Sequence, residues 1–417
     1  MSANEGILWL SGVPQVPEDA IFALQRAFSA DKDPRKLNLG IGAYRTSEGK
    51  PYVLEVVREA ERRIQRLQEE NRENHEYLAI AGSDEFIKAA QRLGFGGDSA
   101  LLQEQRVASV QSVSGTGALR LGLDFVSQHA PSPKPAVYVS NPTWGNHKKL
   151  VAAAGLGPAR EYRYYDASRR RFDLEGMLAD LSQAPPGSVV IMQPCGHNPT
   201  GYDPSIEEWA QIAGLCASKG LVPFFDNAYQ GYASGDLARD GASIRLFSER
   251  GFHFLLSQSF SKNFGLYSER IGLLSIVTPS ADAAKRVFSQ LQAQIRADYS
   301  NPPKHGALIV STILGDDSLR QAWIDELRTM SERIIEMRRA LFQELKDLGT
   351  PGEWSHIVKQ IGMFSYTGLN AQQVKQLIEA YHIYMTSDGR INVAGLSYDS
   401  IKYFASAVHA VISESRL

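Results

Sequence analysis

The sequence predicts an α/β fold, in which a mostly parallel central sheet is covered by helices and followed by a smaller α/β unit. Short apolar runs alternate with helical stretches from about Tyr52 onward, and continuous apolar strands interleaved with helices imply a sheet buried on both faces. An apolar stripe recurring every three or four residues between Asp317 and Gly349 then marks one long helix, beyond which the character changes. At 417 residues the chain exceeds one small core, so two or three units, or one large α/β domain with a smaller one, are expected.

The first fifty residues read as an extended arm around Pro14 and Pro17, then a short helix. Glu18 and Asp19 favour the positive end of that helix, and Ile21, Leu24 and Phe28 share a face. Asn38 to Arg45 follows as a glycine-punctuated loop. Candidate strands are Val107 to Val113, Ala136 to Ser140, Ser188 to Gln193, Leu221 to Asp226, Phe252 to Leu256 and Gly272 to Val277, with Ile206 to Lys219 a representative helix between them. In such sheets ligands sit at the carboxyl ends of the strands. The long stripe, Trp323, Leu327, Met330, Ile334, Met337, Leu341 and Leu345, fits an internal helix leading to the C-terminal unit better than a coiled coil. Residues 354–417 mix short strands and helices, and no repeat or low-complexity segment occurs.

A formal net charge of −2 recommends neither nucleic acid nor an anionic membrane as the main partner, so any basic site must be local. The two cysteines, Cys195 and Cys216, form no Cys-x-x-Cys, which argues against a disulfide framework and a structural zinc. Nine histidines include no His-Glu-x-x-His, so no metal is expected. Gly6 to Leu10 is too short for a signal-peptide core, and the acidic, arginine-poor start does not suit a mitochondrial transit peptide. No run approaches the ~18 apolar residues of a membrane span, so a cytosolic protein is expected.

Within that frame the chemistry gathers at strand ends. Ser257-Gln-Ser-Phe-Ser-Lys262-Asn-Phe-Gly265 follows a β-like run from His253 to Leu256, and a lysine held where a strand stops is well placed as an imine-forming nucleophile. Ser259, Ser261 and Arg270 surround it with hydroxyls and a cation, as at an anion site. Ser114-Gly-Thr-Gly-Ala118 opens a helix whose backbone N–H groups suit a phosphate, although Arg120 stands where a dinucleotide fingerprint needs a third glycine. Asp226 emerges from an apolar strand and needs a cationic partner such as a protonated ring nitrogen, or else serves as a helix N-cap. Asn198-Pro-Thr-Gly201 reads either as a site segment or as a tight turn, and Trp144 as a site residue or as core.

The runs Asn198-Pro-Thr-Gly, Asp226-Asn-Ala-Tyr229-Gln-Gly, Ser257 to Arg270 and Gly389-Arg390-Ile-Asn-Val resemble the aspartate aminotransferase family, class I pyridoxal-phosphate enzymes of fold type I. The resemblance extends from Asn38-Leu-Gly-Ile-Gly-Ala-Tyr-Arg45 to Gly395 without long gaps. It implies residues 1–51 as N-terminal arm and part of a small domain, 52–328 as a large cofactor-binding domain, and 329–417 as the C-terminal part of the small domain. By this similarity Lys262 would hold pyridoxal 5'-phosphate covalently and shuttle a proton, Asp226 would pair with the pyridine nitrogen, and Tyr229 with Asn198 would bond the ring oxygen. Trp144 would stack on the ring. Ser114, Gly115, Thr116, Ser259 and Arg270 would hold the phosphate, joined by Tyr77 from the neighbouring subunit of a homodimer.

For substrate, the resemblance implies that Arg390 grips the α-carboxylate and Arg296, from the partner chain, the distal one, with Gly42, Trp144 and Asn198 bordering them. It thus implies ping-pong amino transfer between L-aspartate and 2-oxoglutarate, giving oxaloacetate and L-glutamate; a broad aspartate/aromatic specificity is the alternative. Gln193 departs from the histidine of many relatives, in the polar layer expected to support the aspartate. His147 keeps the other supporting histidine position, and Asn227 replaces a smaller or apolar neighbour.

Overall fold

The computed structural model describes residues 10–414; most of the Gly6 to Leu10 stretch weighed above lies outside them. A seven-stranded sheet runs in the order Val107–Val113, Ile271–Val277, Leu255–Ser259, Val222–Asn227, Val189–Met192, Val137–Asn141, Arg160–Arg163. Only Ile271–Val277 is antiparallel to its neighbours, and the other adjacent pairs are parallel. Alternate strand residues face opposite sides. Val189, Ile191, Phe224 and Leu255 pack into one core cluster, whereas Val190, Met192, Phe225 and Leu256 pack into another. The sheet is therefore buried on both faces, as its uninterrupted apolar strands require.

Local rules explain the covering helices. Helix Ile206–Lys219 starts in a capping box between Ser205 and Glu208 and stops at Gly220, whose φ of 61° is the left-handed geometry that glycine adopts without strain. Helix Ala20–Ala30 is N-capped by Asp19, which accepts from the Ile21 N–H. The long stripe forms helix Asp317–Asp347 and is buried from Leu319 to Leu345. It is an internal helix, docked against Tyr398–Glu414 and the lysine turn, where Trp323 Nε1 donates to the Asn263 carbonyl at 2.7 Å.

One strand boundary differs from the sequence reading. The strand expected at Phe252 to Leu256 is Leu255–Ser259, so the polar run Ser257 to Ser259 is sheet, and the turn begins at Phe260. Polarity does not end the strand because its groups find partners: Ser257 Oγ donates to Gly115 O at 3.1 Å and Gln258 Nε2 to Ala90 O at 3.1 Å.

The N-terminal and C-terminal segments meet beside the sheet edge. Leu37–Asn38 pairs in parallel with Ile383–Tyr384, and Phe364–Tyr366 pairs with Arg390–Asn392. Asn392 Nδ2 donates to the carbonyls of Ile41 and Ala43, both at 2.7 Å. The glycine-punctuated loop is thereby fixed next to Arg390.

Candidate active site

Six parallel strands have their carboxyl ends at one edge of the sheet, five of them leading into the site, and the antiparallel strand delivers its amino end, headed by Arg270, to the same edge. A cavity of about 330 Å³ opens there. Every site residue named from the sequence lines it except Tyr77 and Arg296.

Its basic wall is built from three cations. Lys262, half-buried in the turn after Leu255–Ser259, donates from Nζ to the Gly42 carbonyl at 2.8 Å and lies 4.9 Å from the centre of the Tyr267 ring. Burial, with Arg270 and Arg390 nearby, lowers its amine to about 8. Arg270 donates to the Tyr267 carbonyl at 2.8 Å and to Ser114 Oγ. Burial lowers Arg270, and likewise Arg390, which stands over the Phe364 ring at 4.2 Å. Among the described residues no carboxylate lies within ion-pair distance of any of the three. Partly buried cations without counter-ions favour anionic ligands.

The first anion place is the start of helix Ser114–His129. Ser114 has φ 65° and Arg270 φ 53°, two non-glycine residues in the left-handed region joined by a Ser114 N–H to Arg270 carbonyl bond of 2.9 Å. Such strain persists only where surrounding contacts enforce it. Here it turns the Ser114 hydroxyl toward Arg270 and leaves the amino end of a 16-residue helix facing the cavity. The Thr116 N–H bonds Ser114 Oγ at 3.2 Å, and the Ser261 N–H bonds Ser259 Oγ at 3.3 Å. Gly115 is required for close approach, because a Cβ there would lie 2.8 Å from Ser259 Cβ.

The second place surrounds Arg390. Its guanidinium donates to Asn198 Oδ1 at 3.2 Å and to Gly40 O at 2.9 Å, while the buried Nε has no partner. An unpaired guanidinium N–H in a cavity wall fits an incoming carboxylate.

Opposite the cations stands Asp226, inside strand Val222–Asn227 rather than at a helix N-cap, and 8% exposed. His147 Nε2 lies 2.9 Å from Asp226 Oδ2, and its Nδ1 lies 2.7 Å from Thr143 Oγ1. A carboxylate only accepts, so Nε2 carries a proton toward Asp226, while Nδ1 faces the threonine hydroxyl. Tyr229 borders the same space, and burial raises its phenol above the usual range. Trp144 meets His147 edge-on at 5.3 Å.

Gln193 corrects the reading that put it in the layer supporting the aspartate. It accepts from the Asn198 N–H at 2.9 Å and donates to the Asn198 carbonyl at 3.1 Å; the partner of Asp226 is His147. Asn198-Pro-Thr-Gly201 is both a turn, closed by a Gly201 N–H to His197 O bond of 2.8 Å, and a site segment. Asn227 is buried and donates to Gln230 Oε1 at 2.9 Å.

Tyr77 and Arg296 stand apart from this cavity. Tyr77 is 83% exposed and borders a separate hollow of about 340 Å³ with Asn301 and Pro302. Arg296 bonds Ser300, which bonds Asn301 at 2.9 Å. Sequence reasoning missed Phe364, Tyr267 and Ile21, which also line the cavity. Tyr267 sat inside the lysine segment and was open to notice, whereas Phe364 and Ile21 carry no signal beyond being apolar.

Residues 34–408 match the model of the family described as aminotransferase class I and II. A cytoplasmic aspartate aminotransferase of Oryza sativa subsp. japonica is 52% identical over 404 residues, covering 97% of this chain and 98% of the relative. The chloroplastic aspartate aminotransferase 3 of Arabidopsis thaliana is 51% identical over 414 residues, covering 99% of this chain and 91% of the relative. Among solved structures, an aromatic-amino-acid aminotransferase from Burkholderia pseudomallei, covalently bound to pyridoxal phosphate, superposes with a TM-score of 0.92 at 42% identity, covering 97% of this chain and 99% of that one.

Proposed function

The chain belongs to the class I and II aminotransferase family, and from that premise we propose that it moves the amino group of L-aspartate to 2-oxoglutarate, giving oxaloacetate and L-glutamate. The observation that carries the reading is the charge pattern of the cavity. Two separate anion places, at Arg270 with Ser114 and at Arg390, flank a lysine on one side and a histidine-held carboxylate on the other.

That pattern fits pyridoxal 5'-phosphate, the cofactor of the family. Ser114, Gly115, Thr116, Ser259 and Arg270 would hold its phosphate, Asp226 its protonated ring nitrogen, Tyr229 and Asn198 its ring oxygen, Trp144 its face, and Lys262 its carbonyl carbon. When bound, the cofactor supplies a sink for the electrons left behind when the substrate α-proton departs. Arg390 orients the substrate by its α-carboxylate, with its guanidinium standing over the Phe364 ring. Nζ of Lys262, with its affinity for protons lowered toward neutrality, takes that α-proton and holds it for return. Asp226, held by His147, keeps the positive charge opposite it in place.

The proposed assembly is a homodimer with composite sites, in which Tyr77 and Arg296 reach the neighbouring cavity; neither residue lines its own cavity, which supports this. The proposed division is residues 1–51 and 329–417 as a small domain around 52–328. A cytoplasmic location is proposed from the rice relative, and the Arabidopsis chloroplast relative makes the plastid the competing compartment. No described helix is long and apolar enough to cross a membrane. Relative kcat/KM for aspartate and phenylalanine tests the specificity: the reading requires a strong preference for aspartate, and equal values would favour the aspartate/aromatic alternative.

A further inference from the structure

We propose that Gln193 is a positioning residue for the substrate clamp, acting through Asn198 on Arg390; the proposal rests on the reading that Arg390 binds the substrate α-carboxylate. The Gln193 carboxamide makes two bonds to one residue. Its Oε1 accepts from the Asn198 N–H at 2.9 Å and its Nε2 donates to the Asn198 carbonyl at 3.1 Å. The amide orientation is therefore fixed by the backbone: reversing it would set N–H against N–H and carbonyl against carbonyl. Both residues are buried, Gln193 at 6% and Asn198 at 8% exposure, so solvent offers little replacement for either bond.

What this grip controls is the side chain of Asn198. Its Oδ1 accepts from Arg390 NH1 at 3.2 Å, and Arg390 NH2 is held by Gly40 O at 2.9 Å. Those two acceptors set the plane of the guanidinium and leave Nε without a partner. A carboxylate gripped by this cation is sensitive to its orientation, because charge-assisted bonds weaken steeply with misalignment. The chain of support runs from Gln193 through the Asn198 backbone and side chain to Arg390. An imidazole at this position has two nitrogens diverging from one ring, which suit a single contact on each side rather than a pair to one backbone residue.

The test uses the cofactor-loaded protein with aspartate as substrate. Gln193→Leu keeps most of the volume and removes both bonds, so KM for aspartate should rise about tenfold while kcat changes less than about threefold. A purely structural role would lower the active fraction, and hence kcat, with KM unchanged; that result overturns the proposal. Should the leucine variant fail to fold, Gln193→Glu is nearly isosteric. Its ionised carboxylate accepts from the Asn198 N–H but repels the Asn198 carbonyl, whereas its protonated form donates and restores the pair. KM relative to wild type, which removes titrations common to both proteins, should fall toward one as pH drops from about 8 to about 6; a ratio that does not fall overturns the proposal. Hydrogen exchange at the Asn198 amide reads the contact without turnover and should quicken in Gln193→Leu, which removes the acceptor of that N–H. Unchanged exchange overturns the proposed grip, while a wild-type protein whose spectrum ignores aspartate overturns the transamination reading instead.

Discussion

Replacing Lys262 with Met in the cofactor-free protein should make the fold more stable at neutral pH, and the gain should vanish in alkali. Lys262 is lowered from the usual 10.5 to about 8 by burial and by Arg270 and Arg390. Between those two values the unfolded chain binds more protons than the folded one, so wild-type stability rises with pH across that window and sits at its low plateau below about pH 8. The full difference corresponds to about 3 kcal/mol. Water reaching Nζ through the open cavity reduces this to about 2 kcal/mol between pH 10 and pH 7. Methionine has no such term. It does forfeit the 2.8 Å bond to Gly42 O, whose weakening on deprotonation belongs to the same titration of the amine. Urea unfolding of both cofactor-free proteins at several pH values follows that titration. A stability difference that is flat from pH 7 to pH 10, or a wild type that gains on the variant as pH falls, would refute the lowered Lys262 amine.

Arg390→Gln should raise KM for aspartate by about 100-fold, since both the charge and the fork are lost; an effect below about fivefold would remove Arg390 from the clamp. Arg296→Leu should weaken aspartate at least about tenfold more than phenylalanine in kcat/KM, and an equal loss for both would mean that Arg296 does not bind the distal carboxylate. Trp323→Phe leaves the Asn263 carbonyl without its 2.7 Å donor and should cost about 1–2 kcal/mol in urea unfolding; no loss would mean the long helix does not brace the lysine turn through that bond.

The elements legible in the sequence were those with strong local signals. Helix Ile206–Lys219 begins and ends as read because a capping box and a left-handed glycine mark both boundaries. The stripe from Trp323 to Leu345 is buried as read because one period runs unbroken. Strand Leu255–Ser259 was misplaced because hydropathy is blind to partners for Ser257 and Gln258 that come from residues 115 and 90. The same limit governed the site. Lys262, Asn198 and Arg270 follow strands or head one, and Asp226 stands at the carboxyl end of another, so their common edge could be inferred from topology. Phe364 arrives from a distant segment with no polar mark, and the attachment of Gln193 to Asn198 depends on a backbone path that spacing does not encode.

The most direct test of the account is the absorbance spectrum of the purified, cofactor-loaded protein before and after aspartate, followed by 2-oxoglutarate. Aspartate should convert the lysine-bound cofactor band to that of the aminated cofactor with release of oxaloacetate, and 2-oxoglutarate should restore the first spectrum with formation of glutamate. A cofactor band that does not respond to aspartate, or that survives in Lys262→Ala, would contradict it.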